Sequence, residues 1–147
     1  MSAQQWSGYN HYTTYHVFRM YTHLMGDQVI DSWMPENTVE VKSTKHGEER
    51  QVEMLDALAT RCSKSGKLAI SLVNKYANNI QTIDIELPGG YNLEMMMSLR
   101  GGSPDDYNDI DRENVVPEDL TNSVVQENGR LRVSVSPHSV NILVLQP

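Results

Sequence analysis

The sequence predicts an all-β protein: an antiparallel, jelly-roll-like β-sandwich preceded by one amphipathic helix. Three observations carry that prediction. Short runs in which apolar and polar residues alternate recur along most of the chain. Clusters of Gly, Pro and Asn separate these runs, as turns between short strands require. Only one segment, near the N-terminus, repeats its apolar residues at helical spacing. At 147 residues the chain fits a single domain that buries a core without staples.

Taken in order, residues 1–11 are polar and aromatic without a period and read as a loose lead-in. Residues 12–26 hold the helix. Val17, Met20, Tyr21 and Leu24 fall at i, i+3, i+4 and i+7 and form one apolar stripe. Thr13 or Thr14 is placed to cap its start, and Gly26 sits where a C′ glycine would end it. The sandwich then occupies 27–147. Val29 to Trp33 and Thr38 to Lys42 are short alternating runs, parted by Pro35-Glu36-Asn37. Lys45 to Arg50 reads as a charged loop. Val52 to Cys62 is contested: Val52, Leu55, Ala59 and Cys62 match helical spacing. Ser63-Lys64-Ser65-Gly66 then turns directly into a strand, which favours a strand before it.

Leu68 to Leu87 reads as a β-hairpin around which the rest is laid. Leu68, Ile70 and Leu72 share one face of its first half. Ile83, Ile85 and Leu87 share one face of its second, and an Asn-rich break at 74–79 lies between. After Pro88-Gly89-Gly90, Leu93, Met95, Met97 and Leu99 alternate with Glu94, Met96, Ser98 and Arg100, and the methionines read as core filling. An acidic loop follows Gly101-Gly102-Ser103-Pro104. Leu131 to Val135 and Val140 to Leu145 form a last pair of strands.

The formal charge of −7 argues against a nucleic-acid or anionic-membrane partner. Cys62 is the single cysteine, so intrachain disulfides and cysteine-based zinc sites are excluded. The N-terminus lacks a basic start and apolar run, and no stretch approaches the length of a spanning helix. A soluble, cytoplasmic protein is the expectation.

Few constellations point to chemistry. Asp105, Asp106, Asp109, Asp111 and Glu113 crowd hard oxygen donors into residues 105–113. Counted from Asp109, however, the sixth and twelfth places hold Asn114 and Leu120, where an EF-hand loop needs Gly and Glu. A solvated acidic loop is the expectation, with an irregular calcium site as the alternative. His16 and His23 lie two turns apart on the helix, too far to clamp a metal by themselves, and His11, His46 and His138 are scattered. The chain holds no Gly-x-Ser-x-Gly and no phosphate-binding glycine motif. Trp6, Trp33 and the tyrosines could stack on sugar rings, but isolated aromatics are more often core or edge residues.

Several segments, in order, resemble one family. Tyr15-His16-Val17-Phe18-Arg19-Met20-Tyr21 is similar to the Tyr-His-Val-Phe-x-Met-Tyr segment of α-L-arabinofuranosidases of glycoside hydrolase family fifty-one. Those enzymes join a (β/α)-barrel to a C-terminal β-sandwich. Leu55 to Thr60, followed by Gly66 to Asn74, resembles their paired strands ending in Val-Asn. The loop from Ser103-Pro104 to Val115-Val116-Pro117 and the strand Ser136 to Leu145 are also similar. The resemblance settles 52–62 as strand.

It implies a non-catalytic C-terminal accessory domain, whose role is to dock on and stabilise a barrel absent from this chain. In the family, catalysis belongs to two glutamates on the barrel, so no catalytic, metal or cofactor-binding residue carries over. The expected partner is a glycoside hydrolase barrel met by the helix stripe and one sandwich edge, or a second copy of the chain through the helix face. Docking by the stripe would leave it partly exposed in the isolated domain, unless a second copy covers it. An arabinose-containing saccharide is a further possible ligand. The alternative reading is a stand-alone carbohydrate-binding β-sandwich module.

Overall fold

A computed structural model describes residues 12–42, 47–109 and 111–147. Among the described residues, helix α1 (Thr13–Leu24) comes first and eleven strands follow. These are β1 (Gln28–Ile30), β2 (Thr38–Lys42), β3 (Glu49–Glu53), β4 (Leu55–Arg61), β5 (Leu68–Asn74), β6 (Gln81–Glu86), β7 (Asn92–Arg100), β8 (Pro117–Asp119), β9 (Val125–Glu127), β10 (Arg130–Val135) and β11 (Ser139–Gln146). A six-stranded sheet runs β1-β4-β5-β11-β7-β8, a three-stranded sheet runs β6-β10-β9, and β2-β3 form a separate ribbon. All pairings are antiparallel. The antiparallel sandwich with one leading helix expected from the sequence is therefore the fold.

The six-stranded sheet is packed on its inner face and, over its central strands, on its outer face as well. Its inner face sends Leu68, Leu72, Met96, Leu143 and Leu145 against Leu131, Val133 and Val135 of the smaller sheet. Side chains of this kind each contribute about 1.5–3 kcal/mol when fully buried. Its outer face carries Ala69, Leu99, Ile142 and Val144, which pack with Met20 of α1 and with Val115. The order is helix, large sheet, small sheet.

This arrangement corrects the hairpin expected over Leu68 to Leu87. β5 pairs with β4 and β11, while β6 pairs with β10, so the two halves belong to different sheets. In a hairpin the Leu68-Ile70-Leu72 and Ile83-Ile85 rows would stand side by side on one face. Placed in opposite sheets, they face each other across the core and exclude water from both. Residues 75–80 carry the chain across. The last pair of strands divides in the same way: β10 joins the small sheet and β11 the centre of the large one. β11 is buried along both faces, as a central strand must be.

Other boundaries differ locally. Val29 to Trp33 is a strand only through Ile30, and Trp33 is 85% exposed. Val52 to Cys62 is strand rather than helix, but it is split at Met54. The Met54 N–H lies against the Asn37 carbonyl at 3.2 Å, and the Asn37 side-chain oxygen accepts Met54 N at 2.9 Å and Leu55 N at 2.8 Å. β3 ends there and β4 starts. Of the charged loop expected over 45–50, Lys45 and His46 lie outside the described residues, and Glu49 and Arg50 open β3. A bulge near Val144 and Leu145 shifts the register with β7. Leu93 consequently packs into the inter-sheet core, while Met95 packs on the helix side.

Candidate docking face on the helix

The geometry of α1 follows from its two faces. The stripe Val17, Met20, Tyr21 and Leu24 lies on the large sheet, where Met20 is only 4% exposed. The Tyr21 and Ser71 hydroxyls share a 2.5 Å hydrogen bond that ties the helix to β5. The stripe is therefore covered by the chain's own sheet. Met20 is buried and Val17, Tyr21 and Leu24 are half-buried, so the stripe keeps the partial exposure expected of it while resting on the chain's own sheet. Alternation along β5 leaves Ala69 and Ser71 on the outer face, small enough to let the helix approach closely.

Both ends of α1 also differ from expectation. Its N-cap is Tyr12, without a side-chain cap, and Thr13 and Thr14 are the first helical residues. At the other end Met25 is the C-cap, in extended conformation, and Gly26 is not left-handed. Gly26 is needed for another reason. A Cβ there would lie 2.3 Å from the Arg61 carbonyl carbon and 2.6 Å from Cys62 N. Only a glycine lets the chain pass β4 at this distance, with Gly26 N donating to Thr60 Oγ1 at 2.8 Å.

The opposite side of α1 is unusual for a surface. Phe18 stands two residues before Met20, about 160° round the helix. It is 72% exposed, with Tyr12 at 74% and Tyr15 at 37% beside it in sequence at three-residue spacing. The helix-bearing face also extends beyond α1. Leu58 is opposite Ser71 in the register and Val29 is opposite Thr60, so both point to the helix side, and both are exposed. Sequence reasoning missed these residues because the buried stripe accounted for the helix. A second aromatic row at positions 12, 15 and 18 was the available signal.

The remaining candidates do not assemble into a reactive centre. A cleft of about 240 Å³ at the C-terminal end of α1 is lined in part by His23, Cys62, Ser65, Lys67 and Glu94. Glu94 is its single carboxylate and is paired with Lys67 at 2.6 Å. Glycoside hydrolysis by the usual route needs two carboxylates across the bond. The Ser65 hydroxyl and nearby backbone hydrogen bonds draw the Cys62 thiol below its ordinary range. A second, open concavity is lined by Gly90, Tyr91, Asn92, Gln126, Asn128 and Gly129. Gln126 is already engaged there by Leu93 N and the Tyr91 carbonyl.

In the acidic loop, Asp106 accepts Gly102 N at 2.6 Å and Ser103 N at 3.1 Å. Asp109 and Arg112 form an isolated bridge, and Asp105, Asp111 and Glu113 are exposed. Among the described residues, no group of three or more His, Cys, Asp or Glu is arranged to hold a metal. His16 is buried in α1 with its ring 5.7 Å from that of Tyr15, while His23 is exposed and bonded to the Arg19 carbonyl. His138 bridges the Ala77 and Gly101 carbonyls. His11 and His46, like Trp6 and the lead-in, lie outside the described residues. No helix among the described residues is long and apolar enough to cross a membrane.

Comparison with known proteins follows the same lines. The family model for the α-L-arabinofuranosidase C-terminal domain matches residues 7–139. No match was found among curated proteins. Among solved structures, an arabinofuranosidase superposes with a TM-score of 0.75 at 18% identity, covering 95% of this chain and 30% of its own. The GH51 α-L-arabinofuranosidase of Thermotoga petrophila RKU-1 gives 0.74 at 18% identity, covering 90% of this chain and 28% of its own. The GH51 arabinofuranosidase of Xanthomonas axonopodis pv. citri gives 0.69 at 20% identity, with 92% and 26% covered. The chain thus spans under a third of the length of these relatives, and the matches fall on their C-terminal domain region. With a family match over most of its length and the fold to accompany it, the chain belongs to the α-L-arabinofuranosidase C-terminal domain family.

Proposed function

We propose that the chain serves as the accessory sandwich of an α-L-arabinofuranosidase, docking on the catalytic barrel through the outward face of α1. One observation carries this reading. The helix already buries one apolar stripe on its own sheet, yet Tyr12, Tyr15 and Phe18 leave a second aromatic row in water. Aromatic residues gathered on one exposed face mark an interaction surface more often than a random surface does. A barrel seated there would hide Phe18 and extend over Leu58 and Val29. The domain's contribution is to cover apolar barrel surface and raise the stability of the whole by mass action. It supplies no reacting group.

The test mixes the chain with a GH51 barrel prepared without its own sandwich, followed by calorimetry and thermal melting of the barrel. Binding with a raised barrel melting temperature is expected, and Phe18→Asp should weaken it at least tenfold. Because Phe18 is exposed, that variant should change the chain's own stability by less than about 0.5 kcal/mol. Absence of binding would count against docking. A concentration-dependent dimer of the chain alone, lost in Phe18→Asp, would reassign the face to a second copy. Chemical-shift changes with millimolar arabino-oligosaccharide would support the carbohydrate-binding module instead.

A further inference from the structure

We propose that the sandwich interior holds a site for one internal water, bridging Ser98 Oγ of β7 and Asn141 Oδ1 of β11. The inner face of the large sheet is apolar along most of its length but turns polar at one end. There Asn74 of β5, Ser139 and Asn141 of β11 and Ser98 of β7 are all at most 1% exposed. Most of their polar atoms are spoken for. Asn74 reaches the Val135 and Ser136 carbonyls, and Ser139 Oγ donates to the Ser136 carbonyl at 2.7 Å.

Two atoms are not. Ser98 Oγ and Asn141 Oδ1 are buried without a hydrogen-bond partner among the described residues. They belong to directly opposed residues, since Asn141 pairs with Ser98 on one side and Leu72 on the other. The orientation of the amide is determined. Asn141 Nδ2 donates to the Leu72 carbonyl at 3.2 Å and to Ser139 Oγ at 2.8 Å. Turning the amide over would press Oδ1 against the Leu72 carbonyl, so the oxygen is the atom left for the β7 side.

Buried polar groups of this kind are almost always satisfied by protein or by ordered water. Both groups are neutral. One is an acceptor only, the other donates and accepts. The ligand that suits them is small, neutral, and both donor and acceptor. A water donates one hydrogen to Asn141 Oδ1 and accepts the Ser98 hydroxyl hydrogen, leaving neither group stranded. The pair needs this bridge because the two side chains do not bond to each other.

The experiment is a crystal structure of the chain at a resolution that shows ordered water, with water-selective NOE spectra in solution. A density peak about 2.7–3.1 Å from both atoms is expected. A persistent water NOE to the Asn141 side-chain amide should accompany it. A direct Ser98–Asn141 hydrogen bond with no peak would overturn the proposal. Ser98→Val removes one of the two partners, so the density peak should disappear while the backbone spectrum keeps its pattern. Persistence of the peak would show that the water sits elsewhere. If that variant does not fold, the wild-type peak and NOE decide alone.

Discussion

Replacing Asn74 by Ala should cost this domain a large part of its stability. Asn74 ends β5 and is 1% exposed. Its Nδ2 lies 3.0 Å from the Asn79 carbonyl, 3.2 Å from that of Val135 and 2.9 Å from that of Ser136. Its Oδ1 accepts Tyr76 N at 3.0 Å. The side chain therefore pins the large sheet to the end of β10 in the small sheet and also shapes the crossing at 75–80. Alanine leaves the Tyr76 N–H and at least one buried carbonyl without a partner. At about 1–3 kcal/mol for each stranded group, the loss should be about 2–6 kcal/mol. Against a typical total of about 5–15 kcal/mol this is severe. Urea unfolding followed by far-ultraviolet circular dichroism measures it. Asn78→Ala, at an exposed position in the same loop, should stay within about 0.5 kcal/mol of wild type. A loss below about 1 kcal/mol for Asn74→Ala would refute the view that this amide joins the sheets.

Gly26→Ala should destabilise the fold strongly, because its Cβ would meet the backbone of Arg61 and Cys62, which has no flexible end to move aside; thermal melting checks it, and an unchanged melting temperature would contradict the close approach. Tyr21→Phe removes the bond to Ser71 and should cost about 0.5–1.5 kcal/mol in the same unfolding assay, with α1 still in place. The hydrogen bond from Arg132, and then its charge, hold the Asp84 carboxyl below its ordinary range. The sign follows from linkage. A carboxyl depressed in the folded state stabilises the fold above its unfolded value and loses that contribution as the pH falls through the folded one. Carboxyl NMR titration should show Asp84 ionising below the usual aspartate range, and Arg132→Gln should move it back up.

Much of the fold was legible in residue order, and each miss has a physical origin. β10 alternates without fault, with Leu131, Val133 and Val135 buried and Arg130, Arg132 and Ser134 in water. Such a strand declares its faces because one side is solvated. β5 and β11 are covered on both sides, so their sequences carry no such contrast and leave their neighbours open. The short β8 and β9 went unread. At three residues each they are below the length at which a period of two is visible. The Asn128-Gly129 turn between β9 and β10, with φ of 51° and 75°, was a readable hairpin signal. The family resemblance resolved Val52 to Cys62 as strand where helical spacing and local context disagreed.

Gly26 shows the limit most sharply. From sequence it is a helix-ending glycine. In the fold it is the one residue thin enough to pass β4, a demand created by a strand more than thirty positions later. The α1 stripe was equally plain in sequence, since amphipathic spacing is a property of neighbouring residues. What it packs on was decided by the tertiary structure, because Ala69, Ser71, Ile142 and Leu99 become one surface only when three strands align. By itself the sequence determined the all-β class, the single leading helix, the strand faces with one wet side and the family. Only the tertiary structure decided which strands pair and which helix face is buried on the sheet. Hydrophobic periodicity states that a face must be buried, and the partner that buries it is chosen by the assembled chain.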